Sequence, residues 1–95
     1  MNTYELVTIL RADLSDEDSS AQIEALQGWI ESNGGNILSV DRWGRRRLAY
    51  PIEKQKDGFY ILFKADLPST APVEIERQMG ISENILRYLI IRGEA

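Results

Sequence analysis

The residues with the most distinctive chemistry in this sequence are three consecutive arginines, Arg45, Arg46 and Arg47, which follow Gly44. An arginine side chain presents a planar fork of donors that fits phosphate groups and stacks on bases. In an extended strand, Arg46 leaves one face while Arg45 and Arg47 leave the other, so the three cannot all serve one flat surface. Charge on an edge strand also protects it against aggregation. The run alone therefore leaves a phosphate contact and a protected edge as open interpretations.

Positive charge is concentrated around this run, although the whole sequence is acidic. The 95 residues carry a formal net charge of −4, yet residues 42–64 contain seven basic and two acidic residues. Residues 1–41, by contrast, contain one basic and eight acidic residues. A net acidic charge argues against a protein that binds nucleic acid alone and without sequence preference. A local basic segment can still dock on phosphates if the acidic part points away.

The residue types needed for most enzymatic and metal chemistry are missing from the sequence. It contains no histidine and no cysteine, so it lacks the commonest general base, the commonest transition-metal ligand and a thiolate nucleophile. Four carboxylates cluster at Asp13, Asp16, Glu17 and Asp18, but the sixth position of an EF-hand loop counted from Asp13 is not glycine. That cluster is more typical of a helix N-terminus. We expect no enzymatic activity, no cofactor and no metal.

Length and composition predict one domain over residues 1–95. The hydrophobic share of 43% and the charged share of 27% are typical of a globular protein. The apolar runs are all shorter than the ~18–20 residues needed to cross a bilayer. Residues 1–5 lack the basic start and apolar middle of a signal peptide, so a cytoplasmic location is expected.

Apolar alternation predicts four strands, at 4–11, 37–50, 59–65 and 85–92. We expect the long second strand to be interrupted by a bulge or bend at Gly44. Asp57-Gly58 is interpreted as the turn of a hairpin between the second and third strands.

Two helices are predicted between these strands. Ser15 is the expected N-cap of the first, which continues to about residue 33 and is stopped by Gly34-Gly35. The second is short, opens in the segment 68–72 and closes at Gly80. The order βαββαβ indicates an α+β fold, a ferredoxin-like two-layer sandwich. In it, a four-stranded antiparallel sheet carries both helices on one face.

Two helices can cover only one face of such a sheet. The predicted core comprises the charge-free alternating sets of three strands, which are Leu6, Thr8, Leu10, Phe59, Ile61, Phe63, Ala65, Leu86, Tyr88 and Ile90. The opposite face mixes charges with Val7, Ile9, Tyr60, Leu62, Leu89 and Ile91. A contiguous apolar patch there would indicate a protein partner, whereas scattered surface hydrophobic residues are normal. The sequence leaves both interpretations open.

The sequence resembles the bacterial small-subunit ribosomal protein S6 family over nearly its whole length. The matching segments, in chain order, are Tyr4-Glu5, the run Gly-Arg-Arg-Arg-Leu-Ala-Tyr-Pro-Ile at 44–52, Lys54, Gly58-Phe59-Tyr60 and Asn84-Ile85-Leu86-Arg87-Tyr88. The run at 44–52 is the most specific of them. Some members of the family carry a C-terminal extension, whereas only residues 93–95 follow the last predicted strand here. No role of such a tail is therefore expected.

The resemblance implies a ferredoxin-like fold, no enzymatic activity and a place in the ribosome. It implies binding to the central domain of small-subunit ribosomal RNA, as a heterodimer with ribosomal protein S18. The RNA contacts expected on this basis are Arg45, Arg46, Arg47, Lys54, Lys56 and Arg87. The expected partner surface is Val7, Ile9, Tyr60, Leu62, Leu89 and Ile91. Neither a membrane nor a small-molecule substrate is expected.

Two other protein classes share the predicted topology. One is a regulatory ferredoxin-like domain that binds small molecules or dimerises through its sheet. The other is an acylphosphatase-like enzyme, which would need a phosphate-cradling loop after the first strand. Residues 11–16 at that place are acidic and lack glycine. Copurification distinguishes the three classes, because it would yield ribosomal subunits, a self-dimer with ligand, or neither.

Overall fold

Four strands and two helices make up the part of the chain described by a computed structural model, residues 2–52 and 54–93. The elements are β1 (Asn2–Arg11), α1 (Asp16–Ser32), β2 (Asn36–Ile52), β3 (Gln55–Leu67), α2 (Ala71–Gly80) and β4 (Ile85–Arg92). The strands form one antiparallel sheet in the spatial order β2-β3-β1-β4. The predicted βαββαβ order is confirmed. Residues 94–95 of the expected short tail lie outside the described residues.

Local signals begin and end α1 where the sequence predicts. The Ser15 hydroxyl oxygen accepts a hydrogen bond of 3.1 Å from the backbone N–H of Asp18, which satisfies one of the free donors of the first turn. Three acidic residues at 16–18 lie against the positive end of the helix dipole. After the helix, Gly34 adopts a φ of 82°, a conformation that glycine reaches without steric cost.

The core lies between the helices and one face of the sheet, as predicted. Its largest fully buried side chains are Phe63, Leu6, Leu10, Leu26, Ile30, Leu67, Ile75 and Met79. Among the described residues, Thr8 is the one buried polar side chain, and its hydroxyl lies 3.9 Å from the sulfur of Met79. The alternation of β1 and β3 therefore assigns their core faces correctly.

The predicted core face of β4 is wrong at Leu86. The pairing of β1 with β4 shifts register between Ile9 and Leu10, which pair with Arg87 and Ile85 respectively. Leu86 is the extra residue of this irregularity, so Ile85 enters the core at 8% exposure while Leu86 is half-buried. Alternation carried along the whole strand could not anticipate an inserted residue.

Three further predicted core residues lie at the margin of the core. Phe59 and Ile90 are half-buried and pack against it. Tyr88 pairs with Thr8 on the helix-covered side but remains 36% exposed, so its assignment to the core is wrong. The cause is the position of β4 at the edge of the sheet, where α2 covers the strand only in part.

The hairpin between β2 and β3 is confirmed, but the prediction of its turn at Asp57-Gly58 is wrong. Asp57-Gly58 lies inside β3, where it pairs with the segment Arg46-Arg47. The last pair of the hairpin joins Ile52 and Gln55, and between them Lys54 has a φ of 67°. The chain therefore reverses direction several residues before the predicted position, and the hairpin is correspondingly longer.

The strand β2 carries a bulge at the predicted place. Arg42 pairs with Ile61 and Gly44 with Tyr60, which leaves Trp43 as an extra residue, and Gly44 has a φ of 82°. Beyond the bulge, the hairpin continues as a segment that we call the arm, residues 45–57 apart from residue 53.

Candidate nucleic-acid and protein interface

The face of the sheet opposite the helices brings all six predicted partner residues side by side. We call it the open face, and its members on the three strands β1, β3 and β4 are Glu5, Val7, Ile9, Tyr60, Leu62, Lys64, Arg87, Leu89 and Ile91. Val7 lies between Leu62 of β3 and Leu89 of β4, because it pairs with both. The apolar residues are therefore contiguous across three strands rather than scattered.

The exposure of this apolar cluster increases toward the edge strand β4. Leu89 is 55% and Ile91 46% exposed, whereas Val7 and Leu62 on the inner strands are half-buried. Large apolar side chains with this exposure, next to one another, are typical of a surface that another protein covers.

Ile9 lies on the open face as predicted, but it is only 8% exposed. Its side chain covers Gly58, where an added Cβ would be 2.4 Å from Cγ2 of Ile9. The same added Cβ would lie 3.6 Å from Leu48, which belongs to the arm and is itself 8% exposed. A direct contact of Ile9 with a partner stays a prediction, and little of its surface is accessible for that contact.

An aromatic pair extends the open face toward β2. The rings of Trp43 and Tyr60 are stacked, with centroids 6.3 Å apart and planes inclined by 12°. Trp43 is 44% exposed, and Arg46 lines the same shallow depression. This pair was not identified from the sequence. The bulge at Gly44 was the available signal, since it moves Trp43 out of strict alternation.

The arginine run alternates between the two sides of the hairpin, as predicted. Arg46 pairs with Gly58 on the open side, and its neighbours Arg45 and Arg47 pair with Phe59 and Asp57 on the other. Arg45 forms an ion pair of 3.1 Å with the Asp57 carboxylate, although its side chain remains 61% exposed.

Five of the six predicted RNA contacts lie on the arm, and all six are exposed: Arg45, Arg46, Arg47, Lys54, Lys56 and Arg87. Arg87 belongs to β4, at the opposite edge of the sheet from β2. Its Nη1 donates a hydrogen bond to the Tyr50 hydroxyl oxygen, and its guanidinium carbon lies 5.9 Å from the centre of the Tyr50 ring. Tyr50 thus connects Arg87 to the arm, a role that sequence reasoning did not assign.

Two carboxyl groups among the described residues have a lowered pKa, in each case because an arginine donates hydrogen bonds to the carboxylate. The Arg77 guanidinium hydrogen-bonds to Glu74 and lowers the pKa of that carboxyl, and Arg11 lowers the pKa of Asp13 in the same way. Among residues 2–52 and 54–93, no group of His, Cys, Asp or Glu has the arrangement of a metal site. Neither helix in that part of the chain is long and apolar enough to span a membrane.

A sequence model of the family described as ribosomal protein S6 matches residues 3–92. The chain belongs to the ribosomal protein S6 family. A small ribosomal subunit protein bS6 from Chelativorans sp. (strain BNC1) is 45% identical over 95 residues, all of this chain and 64% of that relative. Another from Thermoanaerobacter pseudethanolicus is 44% identical over 94 residues, 99% of both proteins. The chain therefore spans about two thirds of one relative and almost all of the other.

The fold agrees with an experimental structure of the same family. The crystal structure of 30S ribosomal protein S6 from Thermotoga maritima is similar with a TM-score of 0.93 and 26% identity, over 97% of this chain and 87% of that one. The ferredoxin-like topology is thereby confirmed. As a member of the S6 family, the chain is a structural protein of the small ribosomal subunit, located with the ribosome in the cytoplasm, and not an enzyme.

Proposed function

We propose that the chain binds the central domain of small-subunit ribosomal RNA as a heterodimer with ribosomal protein S18. The observation that carries this proposal is the adjacency of two different surfaces. The apolar cluster of the open face fits a protein partner, and the exposed basic residues of the arm fit phosphates. Arg87 pairs with Ile9 on the open face and also contacts the arm through Tyr50. One partner could therefore lie on the sheet while RNA lies along the arm.

Net charge explains why the two binding events are linked in this proposal. The formal charge of −4 opposes the long-range attraction on which phosphate binding depends. A basic partner that covers the apolar cluster would reverse the sign of the field around the arm. We therefore expect weak RNA binding by the chain alone and strong binding by the heterodimer.

The roles of the arm residues differ within this proposal. Arg46, Arg47, Lys54 and Lys56 form no ion pair within the described part of the chain, so their charges are available to phosphates. Arg45 already shares its charge with Asp57. Because Arg46 leaves the opposite side of the strand from Arg45 and Arg47, one RNA surface reaches at most two of the three arginines well.

The test is a filter-binding titration of a central-domain RNA fragment across a salt series, with the chain alone, with S18 alone and with the heterodimer. Replacing Arg45, Arg46 and Arg47 together by alanine should reduce the salt slope of the heterodimer by about one to two units, since each phosphate contact contributes ~0.7–0.9. Tight and specific binding by the chain alone would contradict the need for a partner. An unchanged salt slope would contradict phosphate contacts by the arginine run. It would favour the interpretation that the run protects an edge strand against aggregation.

A further inference from the structure

The contact between Tyr50 and Arg87 joins strands at opposite edges of the sheet, at a sequence separation of 37 residues. We propose that Arg87 is a positioning residue: together with Tyr50 it holds the basic arm against the open face. Arg87 then supports RNA binding through the arm and does not itself contact a phosphate. This inference rests on the proposed function, and it revises the role expected for Arg87. We call the contact the clasp.

The geometry of the clasp engages the guanidinium in two ways. Nη1 of Arg87 donates to the hydroxyl oxygen of Tyr50, and the guanidinium carbon lies 5.9 Å from the centre of the ring. A guanidinium reads phosphate through its fork of donors and stacks through its flat face. In Arg87 a donor and a cation–π contact are already committed to Tyr50. Within residues 2–52 and 54–93, Arg46, Arg47, Lys54 and Lys56 form neither an ion pair nor a cation–π contact.

A second contact attaches the arm to the sheet nearer to the bulge. Residues 45–50 of the arm are exposed with one exception, Leu48, which is 8% exposed. Leu48 and Ile9 each lie beside Gly58, and the missing side chain of Gly58 leaves room for both. The arm therefore has an apolar attachment at Leu48 and a polar one at Tyr50, two residues further along the strand.

The clasp matters because the outer part of a two-stranded hairpin is marginally stable by itself in water. Without it, the exposed charges near the tip, Lys54 and Lys56, would sample many positions and would have to be ordered when RNA binds. Ordering groups before binding raises affinity by removing that cost from the binding step. The clasp thus contributes to affinity without adding a charge to the RNA contact.

The first experiment measures the affinity of the heterodimer for the central-domain RNA fragment across a salt series. The variants are Arg87→Ala, Tyr50→Leu and the double variant. Leucine keeps an apolar side chain at position 50 but removes the aromatic ring and the hydroxyl. Arg92→Ala is the matched control, because Arg92 is an exposed arginine of the same strand that donates to Asn2 and not to the arm.

Each single variant is expected to weaken binding by about tenfold, and the double variant by no more than either one, since both remove the same contact. The salt slope is expected to stay unchanged in all of them, and Arg92→Ala should bind like the unmodified chain. The inference would be overturned if Arg87→Ala lowered the slope by ~0.7–0.9 while Tyr50→Leu had no effect, because Arg87 would then contact phosphate directly. The inference would also be overturned if the losses of RNA affinity in the two single variants added up in the double variant, because Arg87 and Tyr50 would then act independently.

The second experiment uses the chain without partner or RNA, so it separates the clasp from the proposed function. Hydrogen exchange of the arm amides is expected to become faster in both single variants, while exchange in β1 stays slow. Unchanged exchange in Arg87→Ala would overturn the clasp even if the heterodimer binds RNA. Conversely, faster exchange together with a heterodimer that never binds RNA would support the clasp and refute the proposed function.

Discussion

The two faces of the sheet are built from the same strands but differ in what covers them. On the helix-covered face, Leu6 and Phe63 pair with each other and are at most 1% exposed. One residue further along, Val7 and Leu62 pair on the open face and are both half-buried. On β4 the contrast is larger still, because Leu89 is 55% exposed. A shift of one residue along the strand therefore separates a position that holds the fold together from one that is available to a partner.

The two faces also differ in their charges. Apart from Thr8, the buried side chains of the helix-covered face are apolar, whereas the open face carries Glu5, Lys64 and Arg87 around its apolar cluster. Charges at the margin keep a free apolar surface soluble and help to set the orientation of a partner. The first face is therefore suited to packing, whereas the second keeps apolar side chains accessible between charged residues.

The largest expected effect on stability comes from the helix-covered face. Leu6 is 1% exposed and belongs to the central cluster, so Leu6→Ala removes buried methyl groups and leaves a cavity. We expect a loss of roughly 2–5 kcal/mol in the free energy of unfolding, measured by denaturant titration. A loss below about 1 kcal/mol would contradict the assignment of the two faces.

An intermediate effect on stability is expected at Gly58, which lies between Ile9 of the open face and Leu48 of the arm. A Cβ at this position would lie 2.4 Å from Cγ2 of Ile9 and 3.3 Å from the backbone oxygen of Leu10. We therefore expect Gly58→Ala to cost about 1–3 kcal/mol in thermal or chemical unfolding, as overpacking does. The control is Gly28→Ala, because a Cβ there meets nothing within 4 Å. Equal stability of both variants would contradict the close packing of Ile9 against Gly58.

The smallest effect on folding, and the largest on association, is expected at Leu89. An exposed apolar residue replaced by aspartate should change the free energy of unfolding by no more than ~0.5 kcal/mol. Leu89→Asp should nevertheless abolish capture of S18 in a pull-down, because it places a charge in the apolar cluster. Val73→Asp is the matched control, since Val73 is 73% exposed on α2, away from the open face. Retained capture by Leu89→Asp would contradict the role of the open face.

Much of the fold could be predicted because its signals are local. Ser15 marks the start of α1, Gly44 marks the bulge in β2, and alternation assigns the faces of β1 and β3. The errors arise where one residue changes a register. The irregularity at Leu86 shifts the start of β4, and Asp57-Gly58 has the composition of a turn although it pairs inside a strand. Tertiary packing of Gly58 against Ile9 overrides the turn preference there.

The candidate site shows the same division between local and distant information. The basic residues of the arm are close in sequence, so their clustering could be predicted without a structure. The ion pair of Arg45 with Asp57 and the clasp of Tyr50 with Arg87 depend on strand order and on the length of the hairpin. Neither the strand order nor the length of the hairpin can be derived from periodicity alone. The sequence therefore did not indicate the contact of Tyr50 with Arg87.

The position of β1 inside the sheet has a consequence for how the chain is made. One hydrogen-bonding edge of β1 is covered by β3, but the other is covered only by β4, with Tyr4 paired to Arg92. Synthesis proceeds from the N-terminus, so this second edge stays bare until residues 85–92 have emerged. A bare strand edge is a template for pairing with other chains, and contacts of such large sequence separation close slowly. The arrival of the fourth strand therefore ends the period in which a nascent chain can pair wrongly with its neighbours.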